Sequence, residues 1–91
     1  MFTSKIKQKL KADAHALHPV VMIADKGLSP SVIAEIEAAL TAHELIKIKI
    51  ATGDKVTRKA LSETICQKLD CALVQIIGHI SIFYRKARKK K

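Results

Sequence analysis

Val20-Val21-Met22-Ile23-Ala24-Asp25-Lys26-Gly27-Leu28-Ser29-Pro30, followed by an amphipathic segment to His43, is the stretch that decides the fold. A short apolar run, a tight turn and a helix follow one another. Ser29 can accept from free amides of the first helical turn, and Pro30 suits the first helical position, where no amide hydrogen is needed. Val32 or Ile33, Ile36 and Leu40 recur at three- to four-residue spacing while Glu35 and Glu37 point elsewhere, which gives one stripe for a core and another for water. The turn Ala24-Asp25-Lys26-Gly27 is therefore pinned by a strand on one side and a helix start on the other. A basic, glycine-containing turn beside a helix N-terminus is suited to gripping a phosphate, because free amides and the helix dipole attract anions there.

Upstream, Ser4 or Thr3 caps a first helix with Ile6, Leu10, Ala14 and Leu17 on one stripe. Lys5, Lys7, Lys9 and Lys11 cover much of its remainder, four cations with no acid before Asp13, an electrostatic footprint rather than a membrane anchor. Pro19 closes this helix. Downstream, Leu45 to Ala51 alternates, with Ile46, Ile48 and Ile50 on one face and Lys47 and Lys49 on the other, so one sheet face is covered and the opposite one open and basic. The helix between the first two strands implies a parallel, right-handed crossover. Thr52-Gly53-Asp54 makes the next turn, with Asp54 or Thr52 as the cap of a third helix, and Val56, Ala60, Leu61, Ile65 and Leu69 give that helix its apolar stripe, with Lys55, Arg58, Lys59 and Lys68 on its exposed side. Ala72 to Ile77 and Ile80 to Arg85 are strands joined by Gly78-His79, the two residues a hairpin needs.

The expected fold is α+β in two layers: a helix, then βαβαββ, with a four-stranded mixed sheet, the helices largely on one face and a single aliphatic core between the layers. Residues 1–85 form one domain, and residues 86–91 a disordered polybasic tail. Composition agrees with a small domain: 91 residues, 48% hydrophobic, with Phe2, Phe83 and Tyr84 the only aromatics.

A formal charge of +9 favours a polyanionic partner. Its placement is uneven, since residues 1–84 hold eleven Lys/Arg against all eight acids, and Arg85 to Lys91 adds six cations and no acid. Few aromatics mean that RNA recognition would rest on backbone, shape and phosphate contacts rather than on several stacking rings. Tyr84 can either stack a base or cover the core from an edge strand. His15, His18, His43 and His79 with Cys66 and Cys71 show no metal-ligand spacing, and the acids are scattered. A Walker loop, a dinucleotide fingerprint and a Gly-x-Ser-x-Gly elbow are absent from the sequence, so no enzyme, cofactor, metal or small-molecule substrate is expected. The reading is of a soluble, cytoplasmic monomer with no membrane role: the chain starts without a secretory signal, has two cysteines, and holds no apolar run near the roughly 20 residues a span needs.

Several stretches together resemble bacterial YhbY-type proteins, stand-alone CRM domains. They are Lys7-Gln8-Lys9-Leu10-Lys11 with Ala14-His15 and Leu17; Pro19-Val20-Val21; Gly27-Leu28-Ser29 leading into Val32-Ile33-Ala34-Glu35-Ile36; His43-Glu44-Leu45-Ile46-Lys47-Ile48-Lys49; and Gly78 with Tyr84-Arg85. The resemblance implies a fold like the C-terminal domain of translation initiation factor three, and an RNA-binding role with precursors of the large ribosomal subunit. It also implies a Gly-x-x-Gly loop likened to that of KH domains, where backbone approaches nucleic acid closely. Here Ala24 stands where the first glycine belongs, a departure that would strain a turn needing positive φ at that position. The RNA-binding residues expected are Lys5, Lys7, Lys9 and Lys11; the loop Ala24, Asp25, Lys26 and Gly27; Lys47 and Lys49; and Tyr84, Arg85, Lys86 and Arg88. The competing expectations are a protein-interaction module docking an assembly factor or ribosomal protein, and nonspecific nucleic-acid binding through the tail.

Overall fold

The computed structural model describes residues 3–24 and 27–86. Along it run α1 (Ser4–Ala14), β1 (Pro19–Ile23), α2 (Pro30–His43), β2 (Leu45–Ile50), α3 (Lys55–Leu69), β3 (Ala72–Ile77) and β4 (Ile80–Tyr84). Each helix begins on a side-chain cap: Thr3 Oγ1 accepts from the Ile6 amide at 3.2 Å, Ser29 Oγ from Val32 at 3.2 Å, and Asp54 Oδ1 from Thr57 at 2.8 Å. Pro30 occupies the start of α2, as its fixed φ favours.

The strands form one mixed sheet in the order β1-β2-β4-β3. The first pair is parallel and the other two antiparallel, as the helix crossover and the hairpin require. Ile46, Ile48 and Ile50 lie buried beside Val21, Ile23 and Phe83 on one face. Ile36 and Leu40 of α2 and Ile65 and Leu69 of α3 cover them, the alternation of β2 having put all three isoleucines on the same side.

The two-layer description accounts for α2 and α3, and α1 adds to it from the other side. Ala14 is fully buried against Val74 and Ile82, with Leu10, Leu45, Ile80 and Tyr84 around them. A single shared core is thus replaced by two, one on each face of the sheet. β4 explains the split: Ile80, Ile82 and Tyr84 alternate with Ser81 and Phe83, so a strand apolar on both sides needs cover on both. The face carrying Lys47 and Lys49 is consequently covered in part by α1 and open only in part.

Two further expectations are corrected. The first helix stops at Ala14 and not near Pro19, because Leu17 donates to the Ala14 carbonyl at 2.9 Å in a turn that reverses the chain into β1. In α3, Val56 is 76% exposed, and the buried position is taken by Ser62. Its hydroxyl donates to the Arg58 carbonyl at 2.9 Å and meets Ser81 Oγ of β4 at 2.8 Å, so a polar pair sits where a purely apolar stripe was expected.

Candidate nucleic-acid interface

Because β1, β2 and β3 run in one direction, their C-terminal ends bring three connections to the same end of the sheet: the loop after β1, the turn at 51–54, and the turn at 78–79. Ala51 donates to the Ile23 carbonyl at 2.8 Å and Ile50 to the His79 carbonyl at 2.7 Å. The His79 ring Nδ1 also lies 3.0 Å from the Ile50 carbonyl. In the first loop Gly27 donates to Ala24 O at 2.9 Å, and Ser29 to Gly27 O at 3.1 Å. Gly27 has φ +64° with open space around it, while Ala24 keeps a negative φ. Alanine at the first loop position is therefore unstrained. Asp25 and Lys26 lie outside the described residues.

α3 starts at this same end. Lys55, Arg58 and Lys59 line a cleft of about 310 Å³ with Ile76 and Gly78. Arg58 Nη1 donates to the Gly53 carbonyl at 2.7 Å, and its Nε is buried without a partner among the described residues. The sequence reading left these three cations as surface decoration. Their i, i+3, i+4 spacing, one helix face directly behind the Asp54 cap, was the signal that they converge.

On the opposite face of the sheet, Lys11 of α1 and Lys47 of β2 line a second cleft, so two of the expected residues are brought together. Lys49 stands exposed one rung further along. Lys5, Lys7 and Lys9 are exposed on α1, where Lys9 reaches Asp13 at 3.5 Å. That contact is solvated on both sides and stabilises little.

Tyr84, Arg85 and Lys86 sit at the far end of the sheet from the Gly27 loop, since β4 runs antiparallel to β2. Tyr84 is half-buried in the core under α1, and Lys86 is exposed. The Arg85 side chain is only 9% exposed and its guanidinium clasps Glu37, so its charge is compensated within the fold. It offers no spare cation. Arg88 and the other residues of the expected tail beyond Lys86 lie outside the described residues.

With this geometry in place, comparison with known proteins is decisive about kinship. The model of the CRS1 / YhbY (CRM) domain matches residues 2–85. The chain belongs to the CRM domain family. A Haemophilus influenzae protein named "RNA-binding protein" is 46% identical over 89 residues, covering 98% of this chain and 90% of that one. "Probable RNA-binding protein PA4753" of Pseudomonas aeruginosa is 41% identical over 87 residues, covering 96% and 84%. The solution structure of SAV1595 from Staphylococcus aureus superposes with a TM-score of 0.85 at 32% identity, over 100% of this chain and 95% of that one.

In this CRM domain the remaining reactive groups have structural employment. The Asp54 carboxylate is held below its ordinary pKa, first by the Thr57 backbone amide. Cys66 and Cys71 lie together where α3 ends, and Cys71 donates its amide to the Cys66 carbonyl at 3.2 Å. The hydrogen bond between the thiols and burial push Cys71 up, and the same bond lowers Cys66. Among the described residues, no three His, Cys, Asp or Glu side chains cluster as metal ligands, and no helix is long and apolar enough to cross a membrane. What the described surface of this CRM domain does offer is cations at two clefts.

Proposed function

We propose that this protein binds RNA, and more narrowly the ribosomal RNA of the assembling large ribosomal subunit, without making or breaking a bond. The observation that carries the RNA reading is the gathering of Lys55, Arg58 and Lys59 beside Gly78, at the end of the sheet that also holds Gly27 and the capped start of α2. Lys11 and Lys47 line the neighbouring cleft on the other face, and among the described residues no acid lines either one. Helix N-termini, a glycine that lets backbone approach, and lysines at a rim all favour a sugar-phosphate chain. The names of two close relatives support the same partner. The large-subunit assignment follows from the family resemblance alone.

The working surface in this reading is the loop Ala24 to Gly27, the cations Lys55, Arg58 and Lys59, the α1 lysines, and Lys47 with Lys49. Direct titration of labelled large-subunit ribosomal RNA at several salt concentrations tests it. Affinity should fall steeply and linearly on a log-log plot as salt rises. Binding indifferent to salt, or absent at low salt, ends the RNA reading. Equal affinity for unrelated RNA of the same length removes only the ribosomal assignment. Nuclease-treated pull-downs decide against the protein-docking alternative if ribosomal proteins disappear with the RNA.

A further inference from the structure

β3 reads Ala72-Leu73-Val74-Gln75-Ile76-Ile77, and its one polar residue stands on the face that α1 only half covers. Gln75 pairs in register with Ile82 of β4, which pairs with Lys47 of β2, so glutamine, isoleucine and lysine form one rung across the sheet. The next rung toward the loops is Ile77, Ile80, Lys49 and Met22, in which Ile77 is 57% and Met22 59% exposed. Lys11 and His15 close the side toward α1, leaving a cleft of about 480 Å³ floored by Ile77 and Ile82.

Two features set this cleft apart from an incompletely covered sheet. Gln75 is half-buried and lines the cleft, and its carboxamide hydrogen-bonds no described residue, so its donors and its acceptor stay open to whatever enters. The register also shifts between Leu73 and Gln75, the kind of irregularity that re-aims a side chain. A carboxamide offers two donors and an acceptor in one plane, which matches the hydrogen-bonding edge of a nucleobase. The exposed isoleucine beside it can take the flat face of that base, and lysines stand where the flanking phosphates would run.

We propose that this cleft seats one unpaired RNA nucleotide, its base on Ile77 and Ile82 with its edge read by Gln75, and its adjoining phosphates held by Lys11 and Lys47. The proposal rests on the RNA-binding reading above and adds a preference for bulged or single-stranded RNA that phosphate contacts alone would not create. Charge complementarity selects this occupant: among the described residues the rim carries Lys11, Lys47 and His15 and no acid.

The test uses the full chain and two RNAs, a hairpin carrying one bulged nucleotide and the same hairpin with the bulge deleted. The wild type is expected to favour the bulged form by on the order of tenfold, the scale of one seated base. Gln75→Ala and Ile77→Ala should each lower that ratio toward one, with melting temperature measured alongside to confirm that the fold persists. The side-chain amide signals of Gln75, assigned by their loss in Gln75→Ala, should shift with the bulged hairpin and not with the perfect one. A wild-type ratio of one, or a ratio that both variants preserve, overturns the cleft proposal while leaving RNA binding intact. Absence of binding to either hairpin overturns both readings. Gln75 signals that move with protein concentration alone, or with an acidic peptide and not with RNA, would give the cleft to a second copy or a protein partner and so also overturn it.

Discussion

Arg85, the first residue after β4, closes a two-pronged contact on Glu37 of α2: Nη1 donates to Oε1 at 2.7 Å and Nη2 to Oε2 at 2.8 Å. The same guanidinium donates to the Leu69 carbonyl at 2.9 Å and the Thr41 hydroxyl at 3.1 Å, so one side chain ties the last strand to both helices beneath the sheet. Planar bidentate geometry of this kind is beyond lysine.

Arg85→Ala should therefore destabilise the domain by roughly 2 kcal/mol, since it removes the partner of the Leu69 carbonyl, while the half-exposed Glu37 recovers water. Arg85→Lys should restore less than half of the loss. Urea denaturation measures both, and an alanine variant as stable as the wild type would refute the tie. The salt slope of RNA binding should stay the same in Arg85→Ala, because the charge removed was already compensated.

The buried hydroxyl pair gives a second measurable relationship. Ser62→Ala leaves Ser81 without its 2.8 Å partner inside the core, which should cost about 1–2 kcal/mol. The double variant Ser62→Ala with Ser81→Ala should lose clearly less than the sum of the single losses, since no hydroxyl is then left stranded. Strict additivity in thermal unfolding would show that the pair is not coupled.

These two contacts mark where sequence reading stops. Element order, strand directions and helix caps were legible because each depends on neighbours along the chain: Ser29-Pro30, Asp54, and the alternation of Leu45 to Ile50. Arg85 looked like the first cation of a basic tail, as nothing local shows that Glu37 waits on another element. Ser62 had no place in the apolar stripe read for α3, and only β4, by setting Ser81 against it, gives it one. The second face of the sheet was readable in principle, because Ile80-Ser81-Ile82-Phe83-Tyr84 is apolar on both sides. At the candidate interface, the lysines of β2 and α1 were found from patterning. The spacing of Lys55, Arg58 and Lys59 put them on one helix face, but that they line a cleft with Gly78 of a distant hairpin is visible only in the fold.

If those three cations meet phosphate, their loss should be visible in salt dependence more than in stability. Lys55→Gln and Lys59→Gln, both exposed, should each reduce the magnitude of the log-log salt slope for RNA binding by about 1 and weaken affinity uniformly across sequences. Melting temperature should hardly change. Slopes equal to the wild-type value, measured by fluorescence anisotropy, would remove the α3 cleft from the interface.

Acid sensitivity should be traceable to Asp54. Its folded-state pKa is lowered from the ordinary 3.8 by the Thr57 amide, so its stabilising contribution is complete above that value and disappears as pH falls through the lower folded value. Asp54→Asn keeps a capping oxygen that cannot titrate. The melting-temperature advantage of the wild type over Asp54→Asn should then be constant near neutral pH and shrink below about pH 3.8. An advantage unchanged down to the acid transition would contradict the assignment.

Two glycines at this end of the sheet should respond differently to the same substitution. Gly27 has φ +64° with nothing within 4 Å of an added Cβ, so Gly27→Ala should cost only the left-handed backbone penalty, about 1–2 kcal/mol. Gly53 has φ +82°, and an added Cβ would lie 2.8 Å from Thr57 Cγ2, a methyl on the residue whose amide the Asp54 cap holds in place. Gly53→Ala should therefore lose more than Gly27→Ala, and Thr57→Ser in that background should recover part of the difference by removing the methyl, while the contact with the residue's Cβ at 3.0 Å remains. The converse change, Ala24→Gly, restores the family's loop pattern at a residue whose φ is already negative. It gives the turn nothing and frees the unfolded chain, so it should destabilise by about 0.5–1 kcal/mol. Chemical denaturation of the four variants orders these effects, and a stabilised Ala24→Gly would mean that the loop does require left-handed backbone at its first position.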